Sequence, residues 1–487
     1  MGKFNKNTMV EKVVQSYEGA ALYAKNPVED WTNFLFSSML ESRFYESADE
    51  QMNRYIELTQ EVAKTCGWEF VAKASFFARN ELGMRSISEL TAAMLNSEQF
   101  DNKRAYFRNY FHRPDGVAEV FSAIDMLDGK RSHALIRGAS DYLSSLGEYQ
   151  IGKYKMNGKD YNMYDLINIT HAHSVAIDKY KAGMLETPDT WETAISTSNS
   201  EEEKAENWVR LVEERKLGYL ALIRNLRNII NARPGIDWVK AHLIPQITNE
   251  TSIKKSLVFP YQIYCAWKNI GVHNHDIDSA LDSAFKTSCG NVPKMEGRAL
   301  VALDVSGSMT NCFTANSSLT MKEVGAVYAT VLMIANDADF IKFGDKAKTK
   351  HYNPLENVFS IISKMQDNDY CGYGTDIVPV FKLIDETSYD RIFLVSDMQV
   401  MNNSSWSWRA HPREEPITLY KNYCAKNSIH PQLYSFDLAN YHSQFGNPND
   451  NHVHLLTALN DQFFKMLPYI EDGGSLVDYI NNNFSYC

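Results

Sequence analysis

Three short segments in the C-terminal part of the chain carry oxygen-donating side chains next to apolar runs. The first, Asp304-Val305-Ser306-Gly307-Ser308, supplies one carboxylate and two hydroxyls after a predicted strand at 299–305. The second is the glycine-rich segment 371–376, which contains Thr375, and the third is Asp397, directly after a predicted strand at 391–396. Oxygen donors with two carboxylates suit a hard divalent cation. These segments therefore predict a site for Mg²⁺, with Mn²⁺ as the alternative.

Alternating strand and helix patterns predict the elements that position these segments. Strands are expected at 299–305, 339–343, 391–396 and 432–436, and helices at 324–336, 355–365, 417–427 and 476–484. This alternation is typical of a doubly wound α/β domain with a parallel sheet. Such sheets bind ligands at the carboxyl ends of their strands, where the three segments fall.

Together the three segments resemble the metal-ion-dependent adhesion site of von Willebrand factor type A domains. In that family two serines and a threonine coordinate the metal directly, and the two aspartates often act through water. The resemblance implies that the metal ligands are Asp304, Ser306, Ser308, Thr375 and Asp397. The alternative is that segment 304–308 is a polar turn.

The pattern from the N-terminus to residue 297 is helical, with apolar residues spaced by three and four positions, as at Trp31, Phe34, Leu35 and Met39. No heptad occurs, so an α-solenoid or a bundle array is expected. No clean 33- or 34-residue repeat occurs either, so any repeats are degenerate and HEAT-like. Segment 186–207 is polar and predicts an exposed loop. We therefore expect an α-helical module at 1–297 and an α/β module at 298–487.

Several segments of the helical part resemble the TROVE module of Ro (SS-A) ribonucleoproteins and their bacterial orthologues. The signature is WVRLVEE at 208–214 followed by LGYLALIRNLRNI at 217–229. Supporting segments are ARNELGMRS at 78–86, DLINITH at 165–171, FPYQIY at 259–264 and LDSAF at 281–285. The order of a TROVE module and then a von Willebrand A domain is also the Ro arrangement, and the resemblance covers roughly residues 15–485.

The Ro resemblance implies a ring of HEAT-like helical repeats that is closed by the von Willebrand A domain. Its hole would take single-stranded 3′ ends of misfolded or structured RNAs, and its outer surface would bind Y-like noncoding RNA. Bacterial relatives also pair with a 3′-to-5′ exoribonuclease in RNA quality control, maturation or decay. The resemblance thus implies a binding scaffold and not an enzyme.

The charge distribution is compatible with RNA binding. The chain has 49 Lys and Arg against 60 Asp and Glu, a net charge of -11 that argues against a general polycation. Residues 1–297 carry -4 and residues 298–487 carry -7, so most of the excess acid lies in the α/β part. Basic clusters stand out in the helical part, and the first is Lys103, Arg104, Arg108 and Arg113, interleaved with Tyr106, Phe107, Tyr110, Phe111 and His112.

Cations beside aromatic rings are what single-stranded RNA binding requires. For the first cluster the alternative is an amphipathic helix with buried aromatic side chains and solvated cations. The other candidate RNA contacts are Lys130, Arg131 and Arg137, then Lys153, Lys155, Lys159 and His171, and finally Arg224 and Arg227.

By resemblance, 153–171 matches the Y RNA contacts of Ro, although it has fewer cations than the relatives after residue 165. His171 is alternatively a hydrogen-bonded residue at a helix end. Arg224 and Arg227, three positions apart, would share a helix face. They would either line the ring or hold neighbouring helices by ion pairs.

The remaining features exclude several classes of protein. No nucleotide-binding loop, zinc-protease motif or nucleophile elbow occurs. The start of the chain lacks an apolar targeting segment, and no apolar stretch is long enough for a membrane span. Seven scattered cysteines fit a reduced cytoplasm, where we expect a monomer. The alternative to an RNA scaffold is a protein-interaction module whose metal site captures a partner carboxylate.

Overall fold

The computed structural model describes residues 13–15, 21–24, 27–37, 47–154, 156, 158–186, 188, 190–232, 235–314, 317–398, 416–439, 443–444, 450, 452–456, 464–467, 469 and 476–486. The chain forms two compact units. The sheet unit comprises 1–53, 248–268 and 273–468, and the helical unit comprises 54–247, 269–272 and 469–487. The units thus do not divide at residue 297, and the assignment of 1–297 and 298–487 to separate functional modules stays a prediction.

The strands are β1 (Val13–Gln15), β2 (Ala21–Ala24), β3 (Ala299–Asp304), β4 (Asp339–Phe343), β5 (Ala347–Lys350), β6 (Arg391–Ser396), β7 (Gln432–Asp437), β8 (Ser443–Gln444) and β9 (Val453–Leu456). Six of them form one sheet in the order β5-β4-β3-β6-β7-β9, and β1, β2 and β8 form another. Strand β5 pairs antiparallel with β4, while the other neighbours in the large sheet are parallel. The expectation of a purely parallel sheet is therefore wrong at this edge.

The helices of the N-terminal part are α1 (Pro27–Ser37), α2 (Ala48–Cys66), α3 (Trp68–Asn80), α4 (Ser86–Leu95), α5 (Lys103–Tyr110), α6 (Pro114–Met126), α7 (His133–Ser144), α8 (Glu148–Lys153), α9 (Met163–Thr170), α10 (Val175–Lys181), α11 (Trp191–Ser196), α12 (Glu201–Glu213), α13 (Tyr219–Arg224), α14 (Leu226–Asn231), α15 (Ile236–Trp238), α16 (Ile244–Ile247), α17 (Glu250–Ser256), α18 (Pro260–Asn269) and α19 (His275–Ser288). Helices α20 (Met321–Asn336), α21 (Val358–Gln366), α22 (Val378–Leu383), α23 (Pro416–Asn427) and α24 (Leu476–Asn483) follow. Helical turns of other types lie at Val239–Leu243, Cys289–Asn291 and Ser308–Thr310.

The large sheet is buried because its central strands are nearly continuous apolar runs, as expected for parallel strands covered on both faces. Every residue of β3 is buried, and only the first residue of β6 is not. The predicted strands at 339–343 and 391–396 coincide with β4 and β6. Strands β5 and β9 and helix α22 had no predicted counterpart.

The core of the helical unit is rich in aromatic side chains from successive helices. Phe77 of α3 and Tyr106, Phe107 and Tyr110 of α5 are completely buried. The C-terminal segment joins this core, since the Phe484 ring lies 5.1 Å from Phe77. The helix expected at 476–484 therefore exists as α24, but it belongs to the helical unit and not to the α/β module.

Two expectations for the N-terminal half are wrong. Segment 186–207 is not a loop, because α11 and the start of α12 lie there and the side chains of Thr190 and Ser200 cap them. Their hydroxyls accept hydrogen bonds from the first turns of these helices, which is why a Ser- and Thr-rich segment also suits helix starts. The N-terminal segment is also not wholly helical, since β1 pairs with β2 and β2 with β8.

Within the part of the chain that the structure describes, no helix combines the length and the apolar character needed to cross a membrane.

Candidate functional site

The carboxyl ends of β3 and β6 bring together the oxygen donors of the candidate cation site. These strands are neighbours and run parallel, with Leu303 opposite Val395. Asp304 ends β3 and Asp397 follows β6, so both carboxylates reach the same edge of the sheet and are fully buried. The topology thus positions side chains that lie more than 90 residues apart in the sequence.

Four of the five predicted donors form one hydrogen-bonded cluster around Asp304. Its Oδ1 accepts from the Ser306 backbone N–H at 2.8 Å, and its Oδ2 accepts from Thr375 Oγ1 at 3.2 Å. Thr375 Oγ1 lies 3.1 Å from Ser306 Oγ, which lies 3.3 Å from Ser308 Oγ. Ser396 Oγ also donates to Asp304 Oδ2 at 2.6 Å, a contact that the sequence prediction missed although Ser396 directly precedes Asp397.

Asp397 interacts with the other donors of the site electrostatically, through its negative charge. Burial and, after it, the negative charge of Asp397 raise the pKa of Asp304 to about 7. Two buried carboxylates that repel each other, surrounded by hydroxyl oxygens, form a donor set that a hard cation would stabilise. The described residues contain no group of three or more His, Cys, Asp or Glu side chains suited to a metal, so this predicted site depends on hydroxyl donors.

The loop that carries Thr375 is held in place by Asp345 and Asn368, which were not among the predicted site residues. Gly372 has φ +95°, and the Asp345 carboxylate occupies the space where a β-carbon at position 372 would lie. Asn368 Nδ2 donates to the carbonyl oxygens of Gly372 at 2.6 Å and Val305 at 3.1 Å. These contacts hold the loop against the end of β3. In the sequence, Gly372 and Asn368 are the residues that could have indicated this loop structure.

Four of the five aromatic residues of the first basic cluster are buried, whereas His112 is exposed. Tyr106, Phe107 and Tyr110 are completely buried, and Phe111 nearly so. The stacking of RNA bases on these four rings is therefore excluded, as the alternative of an amphipathic helix with core aromatics predicts, whereas RNA binding by the cations stays a prediction. The hydrophobic effect decides the outcome, because burying four large rings contributes far more than exposing them to a ligand.

The four cations of this cluster have different surroundings. Lys103 Nζ donates to the carbonyl oxygens of Asn96 and Glu98, both at 2.7 Å. Arg104 forms a two-bond ion pair with Asp141 at 2.7 and 2.8 Å, and Arg113 pairs similarly with Asp115. Arg108 is exposed, and the described residues include no ion-pair partner for it.

Arg104 and Arg108 of α5 and Arg137 of α7 all act electrostatically on one carboxylate, that of Asp141. A β-carbon at Gly138 of α7 would lie 2.8 Å from the Arg104 carbonyl oxygen, so only glycine permits this close approach. The pKa of Asp141 is lowered chiefly by its hydrogen bond from Arg104, and the charges of Arg108 and Arg137 add to the effect. We call this arrangement the arginine groove; it borders a cavity of about 730 Å³.

The cavity beside the arginine groove has a polar lining. Hydroxyl, amide and imidazole groups surround the charged residues, from Asn102, Asn109, Ser140, Ser144, Ser145 and His173. Arg137 was predicted in a second cluster; its charge acts on Asp141, but it is not among the residues that line the cavity with Arg104 and Arg108. The groove offers positive charge and hydrogen-bond donors, and its lining contains no Phe, Tyr or Trp.

The other predicted RNA contacts do not converge. Lys130 is exposed, whereas Arg131 contacts Asp125 and Tyr161. Lys153 pairs with Glu192 at 3.2 Å, and the exposed Lys159 lines a cleft of about 470 Å³. Lys155 lies outside the described residues.

The two remaining predictions concern helix ends. His171 is exposed and ends α9 in the left-handed region at φ 55°, so the helix-end alternative describes its position. Arg224 and Arg227 are both exposed, but Asn225 interrupts the helix between them. The continuous helix that would place these two arginines on one face is therefore absent at this point.

The fold and the first site define a class of protein: a helical array combined with a von Willebrand A-like α/β unit that carries oxygen donors at its strand ends. Comparisons with known proteins agree with this class. Residues 154–278 match the TROVE domain family. The Ro (RSR) protein of Deinococcus radiodurans is structurally similar, with a TM-score of 0.66 and 17% sequence identity over 91% of this chain and 99% of that chain.

A mouse (Mus musculus) protein, telomerase protein component 1, is 23% identical over an alignment of 318 residues, and the match covers 46% of this chain. The match spans only 12% of that much longer protein. Together these matches confirm the predicted resemblance to TROVE-domain Ro proteins. The structural likeness confirms the fold class of helical repeats with a von Willebrand A-like α/β unit.

Proposed function

We propose that this protein is an RNA-binding ribonucleoprotein scaffold. The TROVE match and the Ro-like fold support this assignment, because both point to a group of RNA-binding scaffolds. The observation that carries the proposal is the arginine groove, in which Arg104 pairs with the single carboxylate of Asp141, Arg108 lines the same cavity, and the charge of Arg137 also acts on Asp141. A net positive groove on an acidic protein is a local match for a phosphate backbone.

The chemistry of the groove specifies how RNA would be held. Arginine guanidinium groups bind phosphate oxygens in pairs of hydrogen bonds, and neighbouring hydroxyl and amide groups accept or donate to ribose. Because the rings of α5 are buried, base stacking does not contribute there. Binding in the groove is therefore salt-dependent and tolerant of base sequence.

The finer assignments belong to the same proposal. Single-stranded 3′ ends of misfolded or structured RNAs are the proposed substrates, and Y-like noncoding RNA is the proposed ligand of the 153–171 region. His171 and Lys159 are both exposed there, which keeps them accessible to a ligand. The proposed setting is cytoplasmic RNA quality control, maturation or decay by a monomer that cooperates with a 3′-to-5′ exoribonuclease and does not itself catalyse a reaction.

Filter-binding titrations over a range of salt concentrations test RNA binding. Arg108→Glu combined with Arg137→Glu should weaken binding of RNA with a single-stranded 3′ tail by at least about tenfold and reduce its salt dependence. Lys255→Glu with Lys294→Glu is the matched control, because it makes the same charge change at exposed positions in the sheet unit. Equal loss in both variants, or equal affinity of wild type for blunt duplex and tailed RNA, would contradict the proposal.

We also propose that Asp304, Ser306, Ser308, Thr375 and Asp397 hold a divalent cation, most naturally Mg²⁺, with Mn²⁺ as an alternative. The fit rests on two buried, mutually repelling carboxylates and on three hydroxyls within hydrogen-bonding distance of one another. A bound Mg²⁺ would act as a Lewis acid that accepts one further oxygen. Calorimetric titration with Mg²⁺ tests the site, and Asp397→Asn should abolish the binding heat.

A second candidate function is the capture of a partner carboxylate at the cation site. Its support is the accessibility of the donors: Ser308 and Gly307 are half-buried, whereas Asp304, Ser306, Thr375 and Asp397 are buried. The site thus opens to solvent on one side only, as a site for a single external oxygen requires. Retention of every protein partner in EDTA would contradict this function.

A further inference from the structure

Two exposed aromatic side chains stand in the loop next to the candidate cation site. Tyr370 is 90% exposed and Tyr373 is 81% exposed. Single exposed apolar residues are ordinary on protein surfaces. Here two exposed rings lie three positions apart in one loop, beside the candidate cation site. We call these two side chains the tyrosine pair.

The backbone that presents the tyrosine pair is firmly held. The Tyr373 N–H donates to Asp345 Oδ2 at 2.9 Å, and the Tyr373 carbonyl oxygen accepts from the Gly307 N–H at 3.0 Å. The Cys371 carbonyl oxygen accepts from the Lys346 N–H at 2.8 Å. Because these bonds fix the loop from both sides, binding through the rings would require little further ordering of the backbone.

Tyr370 has a backbone conformation that its own packing does not explain. Its φ is +61°, in the left-handed region that a bulky side chain adopts at a cost, and Asp369 before it also has a positive φ. The neighbouring carboxylate of Asp369 is held by Lys342 at 2.6 Å and Lys350 at 3.2 Å. Strained positions that the surroundings maintain cluster at functional sites, and here the strain keeps a ring in solvent.

Two lysines lie near the tyrosine pair, on a surface that they share with Asp345 and Asp369. Lys348 Nζ lies 5.5 Å from the centre of the Tyr370 ring. Lys346 is exposed, and no side chain in the described ranges forms an ion pair with it. On the other side, the Tyr373 ring lies about 4.0 Å from the position of a β-carbon at Gly307, between the donors Ser306 and Ser308. The tyrosine pair therefore lies between Lys346 and Lys348 on one side and the oxygen-donor cluster on the other.

The same surroundings distinguish a peptide from a nucleic acid. Asp345 and Asp369 lie in this part of the surface, and Asp304 and Asp397 are buried beneath it. A polynucleotide carries a charge on every residue and would be repelled by these carboxylates, whereas two lysines suffice for one or two isolated anionic side chains. Tyrosine is also among the residues that most often dominate protein–protein binding energy.

We propose that the tyrosine pair is a docking surface for an acidic segment of a partner protein, in which a Glu or Asp lies close in sequence to a large apolar residue. The rings contact the apolar side chain, while Lys346 and Lys348 attract the carboxylate towards the oxygen-donor cluster. The inference rests on the second candidate function proposed for the cation site, and it adds a surface that selects partners by their apolar residue.

Fluorescence binding to short synthetic peptides tests the docking surface in the full-length protein. The test set carries one Glu next to Trp or Leu, and two control sets replace either the Glu by Gln or the apolar residue by Ala. Wild type should bind the test set most tightly. Tyr370→Ala combined with Tyr373→Ala should weaken that binding by about tenfold or more. Leu355→Ala is the matched control, because Leu355 is an equally exposed apolar residue of the same unit and should leave binding unchanged.

The outcomes separate this inference from the cation site and from RNA binding. Loss in the double tyrosine variant without any effect of EDTA supports the tyrosine pair and contradicts the cation site. An effect of EDTA together with unchanged peptide binding by the double tyrosine variant overturns the tyrosine pair. A double variant that loses tailed-RNA binding but binds peptides as wild type does also overturns it, because the rings would then serve RNA.

Discussion

The two units each bury a carboxylic acid whose pKa is raised to about 7, but the neighbours of the two acids have opposite charges. Asp304 of the sheet unit faces the carboxylate of Asp397. Glu89 of the helical unit faces two cations, with Arg79 at 3.8 Å and Arg85 at 4.0 Å. Burial is the largest cause of the raised pKa in both places.

Glu89 and Asp304 obtain their neutralising positive charge from different sources. Around Glu89 the chain supplies the cation itself, and Arg79 is almost as buried as its partner. Around Asp304 the nearest strong electrostatic neighbour is a second acid, so stabilisation of the ionised form must come from outside the donor set. The first arrangement is therefore a structural ion pair, whereas the second is suited to binding an ion.

The largest effect on the free energy of unfolding is expected from removing Arg79, the buried cation beside Glu89. Arg79→Met leaves Glu89 without its closest buried partner, and breaking a buried pair costs about 3–5 kcal/mol of unfolding free energy. We expect this cost at pH 8, where Glu89 is mostly ionised. At pH 5 the cost should be much smaller, because Glu89 then holds its proton and needs no cation. Chemical denaturation at the two pH values measures both quantities.

Arg113→Ala serves as the control for this prediction. Arg113 pairs with Asp115 on the surface of the same unit, where an ion pair contributes about 1 kcal/mol or less. A loss of stability in Arg79→Met that is equal at both pH values would mean that packing, and not charge, explains the effect.

The second prediction is the pH dependence of Glu89 itself. The unfolded chain releases this proton near pH 4.5 and the folded chain near pH 7, so the folded state binds more protons in between. The stabilisation is therefore complete below pH 4.5 and is lost as the pH rises through 7, by about 3 kcal/mol in total. Glu89→Gln should remove this slope. A slope of the same size in the variant would assign it to other groups.

The third prediction concerns the external cation. With Mg²⁺ at about 100 times its dissociation constant, the wild type should gain about 2.7 kcal/mol of stability. Asp397→Asn should lose this gain and, because it removes a buried repulsion, should be no less stable than wild type in EDTA. Thermal unfolding with and without Mg²⁺ measures both differences. Asp478→Asn, at an exposed position of α24, is the control and should keep the full gain.

The convergence of the oxygen donors at one sheet edge was predictable from sequence because topology leaves these residues few alternatives. Asp304 and Asp397 each follow an apolar run, and parallel pairing of such runs brings their ends to one edge. Hence residues far apart in sequence were predicted together. Ser396 and Asp345 were missed because a hydroxyl at a strand end and a carboxylate under a glycine have no distinctive spacing.

The basic clusters were less predictable, because adjacent positions on a helix face different directions. The motif at 103–113 alternates cations and aromatics along the sequence, but the helix turns the rings of Tyr106 and Tyr110 inwards and Arg104 and Arg108 outwards. The arginine groove could not be predicted from 103–113 alone, because Arg137 and Asp141 come from α7. Its formation depends on Gly138, whose role in helix contact cannot be read from hydrophobic periodicity.

The smallest effect on stability is expected at Arg104, on the exposed side of the helical unit. Its ion pair with Asp141 is solvent-accessible and screened by salt, so Arg104→Ala should leave the midpoint of thermal unfolding unchanged. RNA binding should respond much more strongly, since the variant removes a positive charge and leaves Asp141 unpaired in the groove. We expect several-fold weaker binding of tailed RNA and a salt slope lower by about 1.

Arg104→Lys separates charge from geometry at this position. Lysine keeps the charge but cannot form the two parallel hydrogen bonds that Arg104 makes with Asp141. If Arg104 neutralises phosphate, the lysine variant should retain the wild-type salt slope, and the alanine variant should not. If instead Arg104 acts only by holding Asp141, both variants should weaken RNA binding to the same extent with the salt slope unchanged. The two variants therefore decide whether Arg104 binds RNA or only pairs with Asp141, as Arg79 pairs with Glu89 in the core.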